Sequence, residues 1–310
     1  MKYGLPYKGS KNKLAERIVE LFPKAENFYD LFCGGGAITH RALITNKFKN
    51  FYMNDIEVGL ADFFKRAVSG EFKNESRWIS RDDFFTSKDE DLYVKLCWSF
   101  GNNCRDYMYS KEIESLKKAW HYAIFFDDFE LMKNFGVDLS EIKNICEKRK
   151  KYLKSKEIIR NKTKERCDLE SLESLERLQS LQSLLNLLRL QRLQRLQRLQ
   201  SLERLQTSSI DYRDVKIKEN SVIYCDIPYI DTSKYNSDFN HNEFYEWALN
   251  QKNIFISSYW MPESDFVCVA EFKHTSSLSA SSTNEVVEKI FVPKTSEKII
   301  YHNKSIFELY

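Results

Sequence analysis

The chain has 310 residues, 42% of them hydrophobic and 14% aromatic, enough to bury a full core in one large or two smaller domains. Lys and Arg number 48 against 45 Asp and Glu, a net charge of +3, so any surface for a polyanion must come from local clustering. Seven cysteines without C-x-x-C spacing and five scattered histidines argue against a disulfide scaffold and a metal cluster. With no membrane-length apolar run and no secretion signal, they point to a reducing cytoplasm.

Residues 12–22 carry apolar side chains at helical spacing, and Pro23 ends that helix. A strand over 28–33 follows, then Gly34-Gly35-Gly36, a helix over 37–45, a strand over 50–54 and a helix over 57–68. This βαβα order predicts an α/β fold, a parallel sheet covered by helices. Glycines after the first strand let the backbone turn tightly and approach a ligand. A carboxylate at the end of the second strand, Asp55, stands where nucleotide-binding α/β folds grip ribose hydroxyls. A flexible loop and a solvated acid would explain either piece alone. No Walker lysine follows the glycines, so the ligand expected is a nucleoside without phosphates.

From Gly70 to about residue 165 the chain turns polar, aromatic and mostly helical in pattern. Within it, Ser99 to Tyr107 is a Gly/Asn turn flanked by aromatics. Asn102, Asn103 and Arg105 are the residue types that read base edges in the major groove; an ordinary loop is the competing reading. Residues 147–166 are basic, and Lys150 and Lys151 are candidates for phosphate contact, against the alternative of a solvated helix. Over 169–206 leucine recurs every third position, in triplets such as Leu-Gln-Arg. Each triplet advances ~300° around a helix, so no single apolar stripe forms, and a coiled-coil seam is excluded. We read this repeat as a variable helical insertion at the surface.

After 207 the α/β character returns. A strand at 221–225 runs into Asp226-Ile227-Pro228-Tyr229, followed by a buried strand at 254–259 and a hairpin from 266–270 and 286–292. An acid, a rigid turn and an aromatic ring at a strand end can hold a planar amino-bearing ring: the acid accepts from the NH2 group and the ring stacks. The same tetrapeptide also serves as an ordinary strand-end turn. Cys33 and Cys225 lie inside the two glycine and acid motifs and are read as packing residues.

Taken together, Phe32-Cys33-Gly34-Gly35-Gly36, Asp226-Ile227-Pro228-Tyr229 and the N-terminal Tyr7-Lys8-Gly9-Ser10-Lys11 resemble the Dam-like, α-group DNA adenine-N6 methyltransferases. The segment 279–292 is similar to that family's C-terminal block. The resemblance implies a Rossmann-like methyltransferase sheet with helices on both faces. Its catalytic domain would span 1–69 and 207–310, with a target-recognition insert at 70–168 and the triplet repeat at 169–206. It implies S-adenosylmethionine as cofactor, held by Tyr7, Lys11, Asp30, Phe32, Gly34, Gly36, Asp55, Asp211 and Tyr212, with Asp30 at the ammonium group and the last two at the adenine. It implies Asp226 and the Ile227 carbonyl as acceptors for N6 of a flipped adenine, Pro228 fixing the turn and Tyr229 stacking on the base. The partner implied is double-stranded DNA in a bacterial or phage-type host cell, with no metal and no membrane, and the chain is expected to be a monomer. Ile227 stands where the family has proline, but it keeps the carbonyl. Cytosine-C5 chemistry is disfavoured because no proline is followed by cysteine. Cytosine-N4 or RNA methylation, and a catalytically decayed DNA-binding protein, stay open.

Overall fold

The computed structural model describes residues 3–72, 74–126, 128–135, 202–229, 239–275 and 285–296. The predicted phosphate contacts Lys150 and Lys151, and the triplet repeat up to residue 201, lie outside these residues. Those described fall into two compact units. The first runs up to Glu71 and resumes at residue 202; the second begins at Phe72.

The first unit is built on a seven-stranded sheet of order β3-β2-β1-β4-β5-β7-β6. Its strands are β1 (Asn27–Asp30), β2 (Asn50–Asn54), β3 (Leu205–Ser208), β4 (Ser221–Asp226), β5 (Ile254–Ser258), β6 (Phe266–Thr275) and β7 (Glu285–Pro293). β3, β2, β1, β4 and β5 pair in parallel. β7 is reversed between β5 and β6, antiparallel to both. The central strands β1 and β5 are buried at every position, as expected where helices cover both faces of a parallel sheet. The strand order changes direction between β1 and β4, so their carboxyl ends flank the crevice where open α/β sheets bind ligands. Asp30 ends β1 and Asp226 ends β4, on neighbouring strands.

Helix α1 (Ala15–Leu21) is shorter than the predicted 12–22, and α2 (Ala37–Leu43) starts directly after the glycines. In α3 (Leu60–Ser69) the buried residues Leu60, Phe63, Phe64, Ala67 and Val68 follow the i, i+3, i+4, i+7, i+8 pattern of a helix packed on a core. The predicted closing hairpin is present as β6 and β7. Two elements differ from the sequence reading. β3 takes Leu205 and Gln206, the last residues of the triplet repeat, because pairing with β2 (Phe51 opposite Leu205) overrides their helical composition. A further helix at His241–Leu249, here α8, is not among the predicted elements. Asn240 caps it through the Asn242 and Glu243 amides, and Phe244 and Ala248 bury one face.

The second unit contains α4 (Arg81–Ser87), α5 (Leu92–Cys97), α6 (Lys111–Phe125) and α7 (Glu130–Lys133). A reciprocal capping box between Ser80 and Asp83 opens α4. Trp78 stacks on Tyr109 at 5.8 Å and meets Trp98 edge-on at 5.2 Å, an aromatic core that holds the ends of the 99–107 turn.

Candidate active site

The glycine loop between β1 and α2 is wrapped by the chain's N-terminal segment. The Leu5 amide donates to the Gly35 carbonyl at 2.6 Å and the Gly4 amide to His40 Nδ1 at 2.9 Å. A side chain on Gly4 would overlap the Gly35 carbonyl, so glycine is required there for the segment to lie this close. Gly36, at φ +65°, caps α2, and a Cβ on it would stand 2.7 Å from the Phe64 ring and 2.8 Å from Met53 Cε. The Tyr7 ring covers Gly34, where a Cβ would come within 3.1 Å of it. Tyr7 thus packs on Gly34 and Gly35, while Gly36 packs on Phe64 and Met53. Phe32 is half-buried beside the loop, against the rings of Tyr212, Phe239 and Phe244.

Two acids flank this loop. Asp55 accepts from the Gly34 amide at 2.8 Å through one oxygen and from the Glu57 amide at 3.0 Å through the other. It therefore fixes the loop's shape, and a carboxylate with about four acceptor sites retains capacity for a ligand. Asp30 is fully buried. Its Oδ2 accepts from Thr39 Oγ1 at 2.7 Å, while Oδ1 has no partner. Burial pushes its carboxyl up to about 7, opposed by the Thr39 hydrogen bond and aided by Asp226 and Asp55.

Asn54, which the sequence reading passed over, ties the ends of β2 and β3 together. It donates to the Ile210 and Leu31 carbonyls and accepts from Ser208 Oγ and the Ile210 amide. The two loops it joins each expose an aliphatic residue, Ile56 and Ile210. The predicted adenine pair behaves differently. Asp211 is engaged by Arg213, whose Nε donates at 2.8 Å and Nη2 at 2.9 Å, and Tyr212 is a core residue packed on Phe32, Phe244 and Trp247.

At the carboxyl end of β4 four side chains from distant parts of the chain converge. Lys11 Nζ donates to both oxygens of Asp226 at 2.8 Å and stands 3.7 Å from Glu288 Oε2. The Tyr229 hydroxyl lies 2.8 and 3.0 Å from the two oxygens of Glu288 and 3.3 Å from Asp226 Oδ1. Burial alone would lower the Lys11 ammonium, but the carboxylates of Asp226 and Glu288 outweigh it and hold the group above its ordinary value. Lys11 is therefore charged. Burial, Asp226 and Glu288 together push the Tyr229 phenol far up, so it is a neutral donor. Side-chain exposure is 9% for Lys11, 2% for Glu288 and 22% for Asp226. Of the three charged groups, Asp226 is the one that an incoming ligand can reach.

Ile227 is 2% exposed and packs into the core cluster of Ile223, Phe244 and Ile254. The Pro228 carbonyl accepts a hydrogen bond from His241 Nε2 at 2.8 Å, so the first residue of α8 pins the turn. The Tyr229 ring lies 4.2 Å from that of Tyr259, which is partly exposed beside Trp260 at the end of β5. Cys33 and Cys225 are free and buried, with thiols pushed well up by burial.

In the second unit, the 99–107 turn is closed by a Ser99–Tyr107 bridge and by the Phe100 amide donating to the Asp106 carbonyl at 2.7 Å. Asn103 Oδ1 accepts the Arg105 and Asp106 amides and its Nδ2 donates to Asp106. Asn103 therefore shapes the loop. Asn102 and Cys104 hold positive φ at some cost, beside Gly101, which adopts it freely. The Arg105 guanidinium is exposed and paired with Asp106, and the Phe100 ring is exposed at the tip.

Among the described residues no group of three or more His, Cys, Asp and Glu side chains could hold a metal ion, and no helix is long and apolar enough to cross a membrane. No curated protein gives a significant match to the chain. The family described as D12 class N6 adenine-specific DNA methyltransferase matches residues 7–301. That span takes in the Tyr7 and Lys11 segment, the glycine loop, the Asp226–Tyr229 turn and Glu288, and the chain belongs to the D12 class of N6 adenine-specific DNA methyltransferases.

Proposed function

We propose that the chain transfers a methyl group from S-adenosylmethionine to N6 of an adenine flipped out of double-stranded DNA at a specific sequence. The observation that carries this is the Asp226 carboxylate. It stands at the carboxyl end of β4, beside the strand-order switch, clamped by Lys11 and more exposed than its neighbours. A base inside a duplex cannot reach such a site without leaving the stack.

The residues next to β1 fit S-adenosylmethionine. The unpartnered Asp30 Oδ1 suits an ammonium group. Asp55 retains acceptor sites for ribose hydroxyls. The glycine loop lets a ligand approach the backbone closely beside Tyr7, and Phe32, Ile56 and Ile210 supply apolar contact for a base. Asp211 and Tyr212 act indirectly, since their side chains are engaged by Arg213 and by the core. When bound, the cofactor supplies a methyl group already activated by its sulfonium, so no nucleophilic side chain and no metal is needed.

The protein's part is positioning and charge. Asp226 accepts a hydrogen bond from the N6 amino group and orients its lone pair. The Ile227 main-chain carbonyl is the second acceptor, held by the Pro228–His241 contact. The Tyr229 ring stacks on the base, and its hydroxyl anchors it to Glu288. Lys11 fixes the Asp226 rotamer from below. Within the second unit, Arg105, Asn102 and Phe100 at the tip of the turn contact DNA bases, while Lys150 and Lys151 contact phosphates. The test is methyl transfer to duplex DNA and to RNA, followed by nucleoside analysis. N6-methyladenine from DNA is expected; N4-methylcytosine, or label confined to RNA, would contradict the reading.

A further inference from the structure

Lys11, Asp226 and Tyr229 carry roles implied by their motifs, whereas Glu288, inside the 279–292 segment, carries none. Glu288 lies near the start of β7, where the sequence shows two acids, Glu285 and Glu288, and nothing that sets the second apart. It reaches the site because β7 runs opposite to the parallel strands: Ser258 at the end of β5 pairs with Lys289, so the beginning of β7 meets the end of β5. A buried carboxylate beside a second carboxylate is costly unless something holds it there.

We propose that Glu288 is a positioning residue for methyl transfer: it draws donors away from Asp226 and leaves the Lys11–Asp226–Glu288 cluster with one net negative charge, so that Asp226 stays an effective acceptor for the substrate amine. The inference rests on the reading of Asp226 given above. Its geometry has two parts. The Tyr229 hydroxyl has one proton, and the shorter contacts, 2.8 and 3.0 Å, are to Glu288, whereas Asp226 is at 3.3 Å. Without Glu288 that proton would turn to Asp226. Lys11, in turn, is shared: its ammonium lies 2.8 Å from Asp226 and 3.7 Å from Glu288. With Glu288 neutral, Lys11 and Asp226 would form a closed, uncharged pair. Nothing in that pair would then favour the positive charge that develops on N6.

The N6 lone pair forms the new bond to carbon, and the electron pair of the broken bond stays on sulfur. One of the two N6 protons then leaves, its bonding pair returning to nitrogen, and the Asp226–Glu288 pair receives it before release to solvent. The groups facing Glu288 are Lys11 from the N-terminal segment, Asp226 and Tyr229 from the β4 turn, Tyr259 after β5, and Tyr224 on β4. Burial raises the Glu288 carboxyl, Lys11 opposes this, and Asp226 adds to it, so Glu288 takes up a proton at a higher pH than an ordinary carboxylate would.

The experiment compares wild type, Glu288→Gln and Glu288→Asp in single-turnover methyl transfer to unmethylated genomic DNA across pH, with cofactor saturating. Melting and cofactor binding are measured alongside. Glu288→Gln is expected to bind cofactor as wild type does, to lose roughly tenfold or more in rate, and to shift the acid limb of its pH profile downward. Glu288→Asp, which keeps the charge, is expected to keep the limb and recover part of the rate. A purely structural role would lower melting and rate without moving the limb. A folded Glu288→Gln with wild-type rate and limb would overturn the inference while leaving the Asp226 reading intact. If Glu288→Gln fails to fold, the wild-type profile decides, because the absence of an acid limb would also overturn it. A wild-type protein that does not methylate adenine in DNA would remove both readings.

Discussion

Asp30 gives the sharpest quantitative prediction, because the fold leaves one of its oxygens buried and unpartnered. Burial holds the carboxyl near 7, so about half the molecules carry it protonated at neutral pH. A ligand ammonium at Oδ1 needs the ionised form. Between about pH 7 and 5.5 the α-amino group of the ligand stays charged, while the protonated fraction of Asp30 rises to nearly all. Affinity for S-adenosylmethionine should then fall about tenfold over that range, at 1.36 kcal/mol per pH unit once Asp30 is mostly protonated. Titration calorimetry in two buffers of different ionisation heat should show roughly half a proton released per cofactor bound at pH 7. Asp30→Asn should bind more weakly at neutral pH, by about 1.5–3 kcal/mol for a lost charged hydrogen bond, with no pH slope. The sign for stability is the reverse of the usual carboxylate case. A carboxyl raised in the folded state contributes stability that is present below its ordinary range and is lost as pH rises through about 7. The cofactor-free protein should therefore melt lower at pH 7.5 than at pH 5 through this group, and Asp30→Asn should flatten that difference. An affinity independent of pH, with no proton released and an unaffected Asp30→Asn, would refute the ammonium contact.

Two other predictions concern the scaffold and the DNA surface. Gly36→Ala places a Cβ against Phe64 and Met53 at positive φ, which should cost on the order of 2–4 kcal/mol from strain and overpacking; an unchanged melting temperature would show that the loop relaxes freely. Arg105→Ala should weaken DNA binding, and if its guanidinium meets a phosphate the slope of log K against log salt should fall by about 0.9. If it reads a base instead, discrimination between target and non-target sites should narrow by about 1–3 kcal/mol. No change in either quantity would remove the turn from the DNA surface.

The parts of the site legible in the sequence were those whose chemistry is local. Gly34 and Gly36 follow a strand and precede a helix, and Asp226 to Tyr229 follow another, so residue type and punctuation were enough. The meeting of Lys11 with Asp226, 215 positions away, was not legible, since the resemblance implied Lys11 at the cofactor and only the fold brings its ammonium to the end of β4. Glu288 was not distinguishable, because its role depends on the reversal of β7. β3 was hidden because Leu205 and Gln206 carry the composition of the helical repeat, and only the exposed edge of β2 turns them into strand. Tyr212 illustrates the opposite error: its ring belongs to the core around Phe32 and Phe244, and an aromatic residue near a ligand site does not reveal in sequence which of the two it serves.

The most direct test of the account is transfer of labelled methyl from S-adenosylmethionine to unmethylated genomic DNA by wild type beside Asp226→Ala, with nucleoside analysis of the product. N6-methyladenine is expected from the wild type alone, with cofactor binding retained by both. Wild-type levels of N6-methyladenine from folded Asp226→Ala would contradict the assignment of Asp226 as the acceptor on which the site is built.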